Sequence, residues 1–167
     1  MISSADLHCV IEIPKGSRNK YEYDPVLGAI TFDRFVSASV IYPTDYGFVP
    51  ESLGGDGDAL DVLVCVTEPT FPGCVIPIRA IGLFRMRDEK GPDDKVVAIA
   101  PTDPNWSDYH DVDQLPRALR AEINHFFTVY KDLDETRSSE PMGWAGPDDA
   151  VQMIAAARDR YTRHRPA

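Results

Sequence analysis

The sequence is short of cations and of long apolar runs. Its 17 lysines and arginines are outnumbered by 27 aspartates and glutamates, giving a formal net charge of −10 over 167 residues. Nucleic acids and anionic membranes bind basic surfaces, so this charge disfavours both as the main partner. No apolar stretch approaches membrane-spanning length, and the N-terminus has no basic segment followed by an apolar run. We therefore expect a cytoplasmic protein that binds neither nucleic acid nor membrane.

Cysteine and histidine are also scarce. The three cysteines, Cys9, Cys65 and Cys74, are odd in number and lie in apolar stretches, which predicts reduced core thiols rather than disulfides or a zinc site. The four histidines form no metal-ligand pattern, and His125 is predicted to be a core residue of a helix. The chain also lacks G-x-S-x-G, P-loop and G-x-G-x-x-G elements, which excludes the sites that depend on them.

What the sequence does have is a dense group of carboxylates in Gly54-Gly55-Asp56-Gly57-Asp58-Ala59-Leu60-Asp61. Acids this close repel one another unless a cation lies between them, and oxygen-only ligands favour a hard divalent ion, Mg²⁺ above all. The alternative is a solvated acidic turn, since Asp and Gly are common turn residues. A calcium EF-hand loop fits poorly, because counting from Asp56 leaves positions 5 and 12 without acids. Asp61 favours the metal site, because it directly precedes an apolar, strand-like run.

Three other charged segments are candidates for a site. Glu12 lies between two isoleucines at the end of a strand pattern, either as an edge charge or directed into a site. Residues 15–20 hold three cations, the densest basic patch of the chain, and are otherwise a solvated turn. The hairpin over 84–95 carries acids at its tip, which are either solvated or part of the same site.

Strand and turn signals precede two helical patterns. The predicted strands are 7–13, 21–24, 29–35, 60–66, 74–84 and 96–100, and the predicted loops are 42–50, 101–112 and 132–147. Helical spacing of apolar residues predicts a helix over 114–131, capped by Asp113, and a final helix that begins near Asp148. This order predicts an α+β domain with a small barrel or a strongly twisted sheet.

Seven short motifs occur in the order, and near the spacing, of the family I soluble inorganic pyrophosphatases. They are I-E-I-P at 11–14, K-Y-E at 20–22, D-R-F at 33–35, Y-P-T-D-Y-G at 42–47, D-G-D-A-L-D-V at 56–62, D-E-K-G-P-D-D-K at 88–95 and H-F-F-T-V-Y-K-D-L at 125–133. Over about residues 8–135 the chain resembles the bacterial members, and among these the actinobacterial ones. One such motif would be weak evidence, whereas seven in order are specific.

The resemblance implies a single domain over residues 1–167. It implies a small five-stranded β-barrel of the oligonucleotide-binding (OB) type, with additional hairpins and two flanking α-helices. It also implies Mg²⁺-dependent hydrolysis of pyrophosphate to two phosphates in the cytoplasm, by a homo-oligomer that is usually a hexamer in bacteria.

Motif position then implies the roles of individual residues. The implied metal ligands are Asp56, Asp61, Asp88 and Asp93, with Glu12 at a further Mg²⁺ or beside the ligands. The implied phosphate-binding residues are Lys20, Arg34, Tyr46, Tyr130 and Lys131, supported by Glu22, Tyr42 and Lys95. Either Asp58 or Asp93 would accept the proton of the attacking water, and we favour Asp58 because it lies between two ligands.

Three positions depart from the family pattern. Ala59 stands where Pro is usual, which predicts a less rigid turn. Asp94 is a second candidate ligand beside Asp93, although the spacing to Lys95 favours Asp93. Residues 134–143 lack the usual lysines, so that Arg137 is the cation of this segment.

Two other functions are compatible with parts of the sequence. One is an Mg²⁺-dependent phosphohydrolase with an organic phosphate as substrate. The other is a nonenzymatic barrel that holds a metal or an oligonucleotide, although such a barrel would need a basic, aromatic face.

Overall fold

A computed structural model of the chain describes residues 7–164, so the ends of the predicted domain, residues 1–6 and 165–167, lie outside the described residues. The described residues have the predicted α+β composition. In chain order the elements are β1 (His8–Ile13), β2 (Asn19–Asp24), β3 (Ala29–Phe35), β4 (Asp45–Phe48), β5 (Asp61–Cys65), β6 (Val75–Pro77), β7 (Arg79–Asp88), β8 (Gly91–Pro92), β9 (Lys95–Ile99), α1 (Arg117–Val129), β10 (Ser139–Ala145) and α2 (Pro147–His164).

Eight strands form one sheet in the order β10-β7-β9-β5-β4-β1-β6, with β8 paired to β7. Strands β2 and β3 form a separate hairpin. Within the described residues the sheet is open rather than the closed five-stranded barrel implied by the resemblance. The reason is that β1 also pairs with β6 and β7 also pairs with β10, so the path ends at β10 and β6 instead of joining β7 to β1. Bulges in β1 and β7 increase the local twist of the sheet.

The two faces of the large sheet bury separate cores. Side chains alternate between the faces along a strand, so Leu63 and Cys65 of β5 pack in the core that contains Phe126 of α1. Val62 and Val64 pack in the core that contains Ile154 of α2. Strand β5 is therefore buried on both faces, which is why its sequence is continuously apolar after Asp61.

The first helix begins at Arg117, three residues later than predicted, and Asp113 is not its cap. A 3₁₀ turn over Val112–Gln114 precedes it, and Asp111 caps that turn by accepting from the N–H of Asp113 (2.9 Å). The helix cannot extend through this turn, because a residue before proline is pushed out of the helical region. Leu115 is accordingly extended, with φ −59° and ψ 144°, and Pro116 takes the N-cap position of α1.

Two predicted loops contain strands. Residues 139–145 form β10, which pairs antiparallel with β7, although Pro141 and Gly143 are unusual in strands. They are tolerated because β10 is an edge strand and its register shifts between these two residues. Residues 45–48, in the predicted loop 42–50, form β4. The strand predicted over 74–84 is divided into β6 and β7.

The prediction for histidine is wrong and that for cysteine is confirmed. His125 is exposed, because the buried stripe of α1 consists of Ile123, Phe126 and Phe127. All three cysteines are free thiols; Cys9 and Cys65 are buried, and Cys74 is partly buried. Among residues 7–164, neither helix combines the length and the apolar character that crossing a bilayer requires.

Candidate active site

The acidic stretch forms an exposed turn that leads directly into β5. Within the turn, the Gly54 N–H donates to the Asp58 carbonyl (2.7 Å), and the Asp58 N–H donates to Asp56 Oδ1 (3.1 Å). Gly57 has φ +91°, a conformation that side chains other than glycine rarely adopt. Asp56 and Asp58 thus sit on the exposed part of the turn, while Asp61 is the first residue of the buried strand.

Asp61 is joined to Lys95 and Tyr46. Its Oδ2 accepts from Lys95 Nζ (2.7 Å) and from the Tyr46 hydroxyl (2.7 Å). Lys95 Nζ also lies 2.8 Å from Asp93 Oδ2, and the Lys95 side chain is only 3% exposed. Burial disfavours the charged amine, but Asp61 and Asp93 outweigh it and raise the pKa of Lys95 above its usual value. A cation of this protein therefore lies between two of the predicted metal ligands.

The strand pairing explains this arrangement. Strands β5 and β9 run parallel with Val62 opposite Val96, so Asp61 and Lys95 lie side by side where the two strands begin. In the hairpin formed by β7 and β8, Asp88 is the last residue of β7, and Asp93 directly follows β8. Residues far apart in sequence thereby converge at one edge of the sheet.

Asp93 and Asp94 point to different partners. Asp94 Oδ1 accepts from the Met86 N–H (3.2 Å), and Asp94 Oδ2 lies 3.4 Å from Arg85 Nη1. Asp93 instead faces Lys95. Of the two neighbouring acids, Asp93 is the one on the side of Asp61.

Several carboxylates at this edge have raised pKa values, because the nearby cations do not offset burial and the repulsion of neighbouring acids. Burial raises the pKa of Glu12 to about 7, and Asp61 adds to this rise, although the Tyr23 N–H donates to Glu12 Oε1 (2.8 Å). Burial also raises the pKa of Asp93, with Asp61 contributing, against the opposing effect of Lys95. Asp58 is largely exposed, and the partial loss of solvent within its turn, followed by the neighbouring Asp56, raises its pKa. Such a group of oxygen ligands has the chemistry that suits a hard divalent cation.

The candidate metal ligands do not form a preorganised metal site. Over residues 7–164, no three Asp, Glu, His or Cys side chains converge closely enough to hold a metal ion as they stand. Asp56 and Asp58 hydrogen-bond within their own turn, and Asp61 and Asp93 are bonded to Lys95. The donor set fits a divalent metal by its chemistry, although its members lie apart in this arrangement.

The predicted phosphate-binding cations lie next to these acids. Lys20 and Arg34 are cross-strand partners in the β2–β3 hairpin, and both contact Asp33 Oδ2, at 3.1 Å and 2.9 Å. Lys20 also pairs with Glu22. Lys131 is buried, with Nζ 3.6 Å from Asp88 Oδ2 and 3.3 Å from Glu89 Oε2.

A cavity of about 330 Å³ opens beside these cations. Arg34, Tyr130, Lys131 and Arg137 are among the side chains that line it. Its polar lining brings a residue from β3 together with residues that follow α1. Two acids, Asp134 and Glu135, also line the cavity, so its three cations leave an excess of one positive charge, which favours an anion.

Three predicted tyrosines form the apolar wall behind the charged groups. The Tyr42 and Tyr46 rings contact each other with centroids 5.7 Å apart, and Tyr130 stacks on Phe126 at 5.2 Å. Burial is the main cause that raises the pKa of Tyr42, Tyr46 and Tyr130 above the usual value. Their hydroxyls therefore stay protonated near neutral pH and can donate hydrogen bonds.

Two acids of the site had no role assigned to them from the sequence. Asp33 joins Lys20 to Arg34, and Glu89 joins Lys131 to the N–H of Ser138 (3.2 Å). The signal for each was its position beside a predicted site residue, Arg34 or Asp88. That signal alone could not show which way the side chain points.

Comparison with known proteins agrees with this geometry. Residues 9–162 match the family model described as "Pyrophosphatase: Inorganic pyrophosphatase". An inorganic pyrophosphatase of Streptomyces coelicolor is 52% identical over 151 residues, covering 90% of this chain and 93% of that protein. One of Methanosarcina acetivorans is 50% identical over 152 residues, covering 91% and 90%.

A solved structure gives the same result in three dimensions. The crystal structure of the inorganic pyrophosphatase from Thermus thermophilus superposes with a TM-score of 0.91 at 43% identity, covering 93% of this chain and 90% of that one. The resemblance found in the seven motifs is thereby confirmed. The chain belongs to the inorganic pyrophosphatase family.

Proposed function

We propose that this protein hydrolyses pyrophosphate to two phosphates and that Mg²⁺ is its metal. One observation carries the proposal: Lys131 contacts Asp88 among the acids and also lines the cavity that contains Arg34. Groups suited to a divalent cation and groups suited to phosphate oxygens therefore meet at one residue. Pyrophosphate with bound Mg²⁺ presents both kinds of partner at once.

The acids at the edge of the sheet would hold the metal. We assign Asp56, Asp61, Asp88 and Asp93 as ligands, with Glu12 as a ligand of a further ion or beside the others. When bound, Mg²⁺ supplies charge neutralisation and increases the acidity of water. Lys95 and the Tyr46 hydroxyl fix the orientation of Asp61, because each bonds its Oδ2 at 2.7 Å.

Asp58 is our choice for the group that accepts the proton of the attacking water. It is exposed on the turn between Asp56 and Asp61, so its carboxylate is accessible to water. Asp93 is the other candidate, but its Oδ2 is occupied by Lys95 at 2.8 Å. A base beside a metal need only be weak and well placed.

The cations would hold the phosphates. Lys20, Arg34 and Lys131 neutralise phosphate oxygens, with Arg34 able to bind two oxygens at once. The Tyr130 hydroxyl remains protonated and would donate to a phosphate oxygen. The single proton of the Tyr46 hydroxyl is donated to Asp61 Oδ2 (2.7 Å), so Tyr46 would donate to phosphate only by exchanging that partner. Glu22 orients Lys20, and Tyr42 supports Tyr46 from the apolar side.

We also propose the finer features that the resemblance implies. Strands β7, β9, β5, β4 and β1 are consecutive in the open sheet and would correspond to the five strands of an OB-type fold in a single domain. Apolar side chains such as Phe71 and Val75, 64% and 59% exposed, support assembly into a homo-oligomer, a hexamer by family resemblance. The cytoplasm is the proposed location.

A phosphate-release assay tests the function. We expect release from pyrophosphate with Mg²⁺, none with excess EDTA, and little with nucleotides or sugar phosphates. Ca²⁺ should support the reaction poorly, because its larger size and looser geometry position water less well. Equal release from organic phosphates would instead indicate a general phosphohydrolase, and no release from any of them would indicate a binding protein.

A further inference from the structure

Helix α2 contacts the chain just before the acidic turn. The Leu53 N–H donates to the Ala157 carbonyl (3.0 Å), and the Leu53 carbonyl accepts from Arg160 Nε (2.9 Å). Ala157 is fully buried in the core shared by α2 and the sheet. Both backbone polar groups of Leu53 are therefore held by one helix, one residue before Gly54.

The other end of the turn is held by a different set of bonds. Ser52 Oγ, in a residue that is 4% exposed, donates to the Val49 carbonyl (2.6 Å) and accepts from the Leu60 N–H (2.9 Å). The Val49 N–H donates to the Leu60 carbonyl (2.9 Å). Leu60 thus enters β5 from a fixed point, immediately before Asp61.

Between these two anchors, the bonds of the turn are internal. They join Gly54 to Asp58, Gly57 to Gly54, and Asp58 to Asp56. Internal bonds set the shape of the turn, whereas its position relative to Asp61 depends on where its two ends are held. Asp56 and Asp58 can therefore be displaced together if the anchor at Leu53 is lost.

We propose that Arg160 is a positioning residue for metal binding, which acts through Leu53 on the turn that carries Asp56 and Asp58. The inference rests on the proposed function, which assigns these acids to the metal site. An arginine suits the task because its charged N–H forms a stronger hydrogen bond to a carbonyl than a neutral donor does. The bond also spans from residue 160 to residue 53, so it ties the C-terminal part of α2 to the site.

The test compares Arg160→Ala with Arg163→Ala. Arg163 lies on the same helix and pairs with Asp159 (2.5 Å) on an exposed face, so its loss removes a similar side chain without touching Leu53. Mg²⁺ binding is measured by calorimetry without pyrophosphate, and backbone hydrogen exchange is followed at Gly54 and Leu60 and, for comparison, at Val62–Val64 of β5.

We expect Arg160→Ala to weaken Mg²⁺ binding about three- to tenfold, less than the full loss of a charge-assisted hydrogen bond, because the bond from the Leu53 N–H to Ala157 remains. Exchange at Gly54 should accelerate, while exchange in β5 stays at the wild-type rate, because only the turn becomes looser. Arg163→Ala should match the wild type in both measurements. Arg160→Lys keeps the charge but replaces the donor Nε by Nζ, one bond farther from the backbone, so it should fall between wild type and Arg160→Ala.

Unchanged Mg²⁺ binding together with unchanged exchange at Gly54 in Arg160→Ala would overturn the proposal. Faster exchange throughout β5, or an equal loss of Mg²⁺ affinity in Arg163→Ala, would also overturn it, because either would indicate a general effect of α2 on stability. If Arg160→Ala does not fold, Arg160→Lys decides by the same two measurements. If the wild-type protein binds Mg²⁺ but releases no phosphate from pyrophosphate, the proposed function is wrong. The role of Arg160 is then decided by Mg²⁺ binding and by hydrogen exchange at Gly54 in Arg160→Ala.

Discussion

Lys95 Nζ lies 2.7 Å from Asp61 Oδ2, at the point where the parallel strands β5 and β9 begin side by side. The same ammonium lies 2.8 Å from Asp93 Oδ2. A buried cation therefore holds two proposed metal ligands together across the sheet edge. The charge of Lys95 offsets the repulsion between the two acids, as a bound divalent ion would. Without Lys95, a bound metal should be the main group that offsets this repulsion.

Lys95→Gln should destabilise the metal-free protein strongly, by roughly 3–5 kcal/mol, because it leaves two partly buried carboxylates without their partner. Added Mg²⁺ should raise the melting temperature of the variant more than that of the wild type, since ligand binding stabilises the folded state by mass action. Thermal unfolding with and without Mg²⁺ measures both effects. An equal Mg²⁺ effect on the two proteins would contradict this interpretation.

Asp61→Asn should fold but lose most of its activity, by about 100-fold or more, because it removes a carboxylate ligand of the metal that would stabilise the developing negative charge. Its metal-free form should be at least as stable as the wild type's if relief of acid repulsion exceeds the weakened bond to Lys95. Asp94→Asn is the matched control, because Asp94 bonds Met86 and Arg85 instead of facing Asp61. Steady-state turnover at saturating Mg²⁺ is measured for Asp61→Asn and Asp94→Asn. A turnover of Asp61→Asn within a few-fold of the wild-type value would exclude a ligand role for Asp61.

Asp58→Asn and Asp93→Asn should fail in different ways. If Asp58 is the base, its substitution keeps Mg²⁺ affinity and lowers turnover, because a well-placed proton acceptor contributes about 100-fold or more. Asp93→Asn should first weaken Mg²⁺ binding, since Asp93 faces Asp61 across Lys95. Calorimetric Mg²⁺ titration beside turnover measures the contrast, and the opposite pattern would exchange the two roles.

Lys20→Ala and Arg34→Ala should raise KM for pyrophosphate about tenfold or more, the loss expected for a charge-assisted bond to phosphate. Mg²⁺ binding should change little, because neither side chain contacts a proposed ligand; both contact Asp33. Arg18→Ala is a useful control, since Arg18 bonds the Val36, Ser37 and Ala38 carbonyls from the same basic loop. If the variants shift the Mg²⁺ titration as far as the pyrophosphate titration, Lys20 and Arg34 do not act on phosphate alone, and the prediction is wrong.

The sequence predicted the local elements better than their partners. Alternation and helical spacing located β1, β3, β5 and the apolar face of α1, because those patterns reflect burial directly. Strand β10 was missed because Pro141 and Gly143 are turn signals, and its pairing with β7 depends on an edge that only the assembled sheet provides. Asp113 resembled a helix cap, but the proline that follows moved the helix start to Arg117.

For the site, the sequence motifs identified the candidate residues, whereas the contacts between these residues are known only from the fold. No local pattern indicates that Lys95 lies between Asp61 and Asp93, since this follows from the parallel register of strands that are far apart in sequence. The choice between Asp93 and Asp94 likewise depends on which side chain bonds Met86. The anchor from Arg160 to Leu53 was outside every motif, because it joins positions 107 residues apart.

The burial of two of the three thiols makes the protein convenient for spectroscopy. Burial raises the pKa of Cys65 to about 12 and that of Cys9 well above its usual value, so both thiols remain protonated and shielded from alkylating reagents. Cys74 is the partly exposed thiol, directly before β6. Because Cys74 lies beside Val75, on the surface proposed for assembly, the rate at which a maleimide dye attaches there should report whether that surface is covered, without any engineered cysteine.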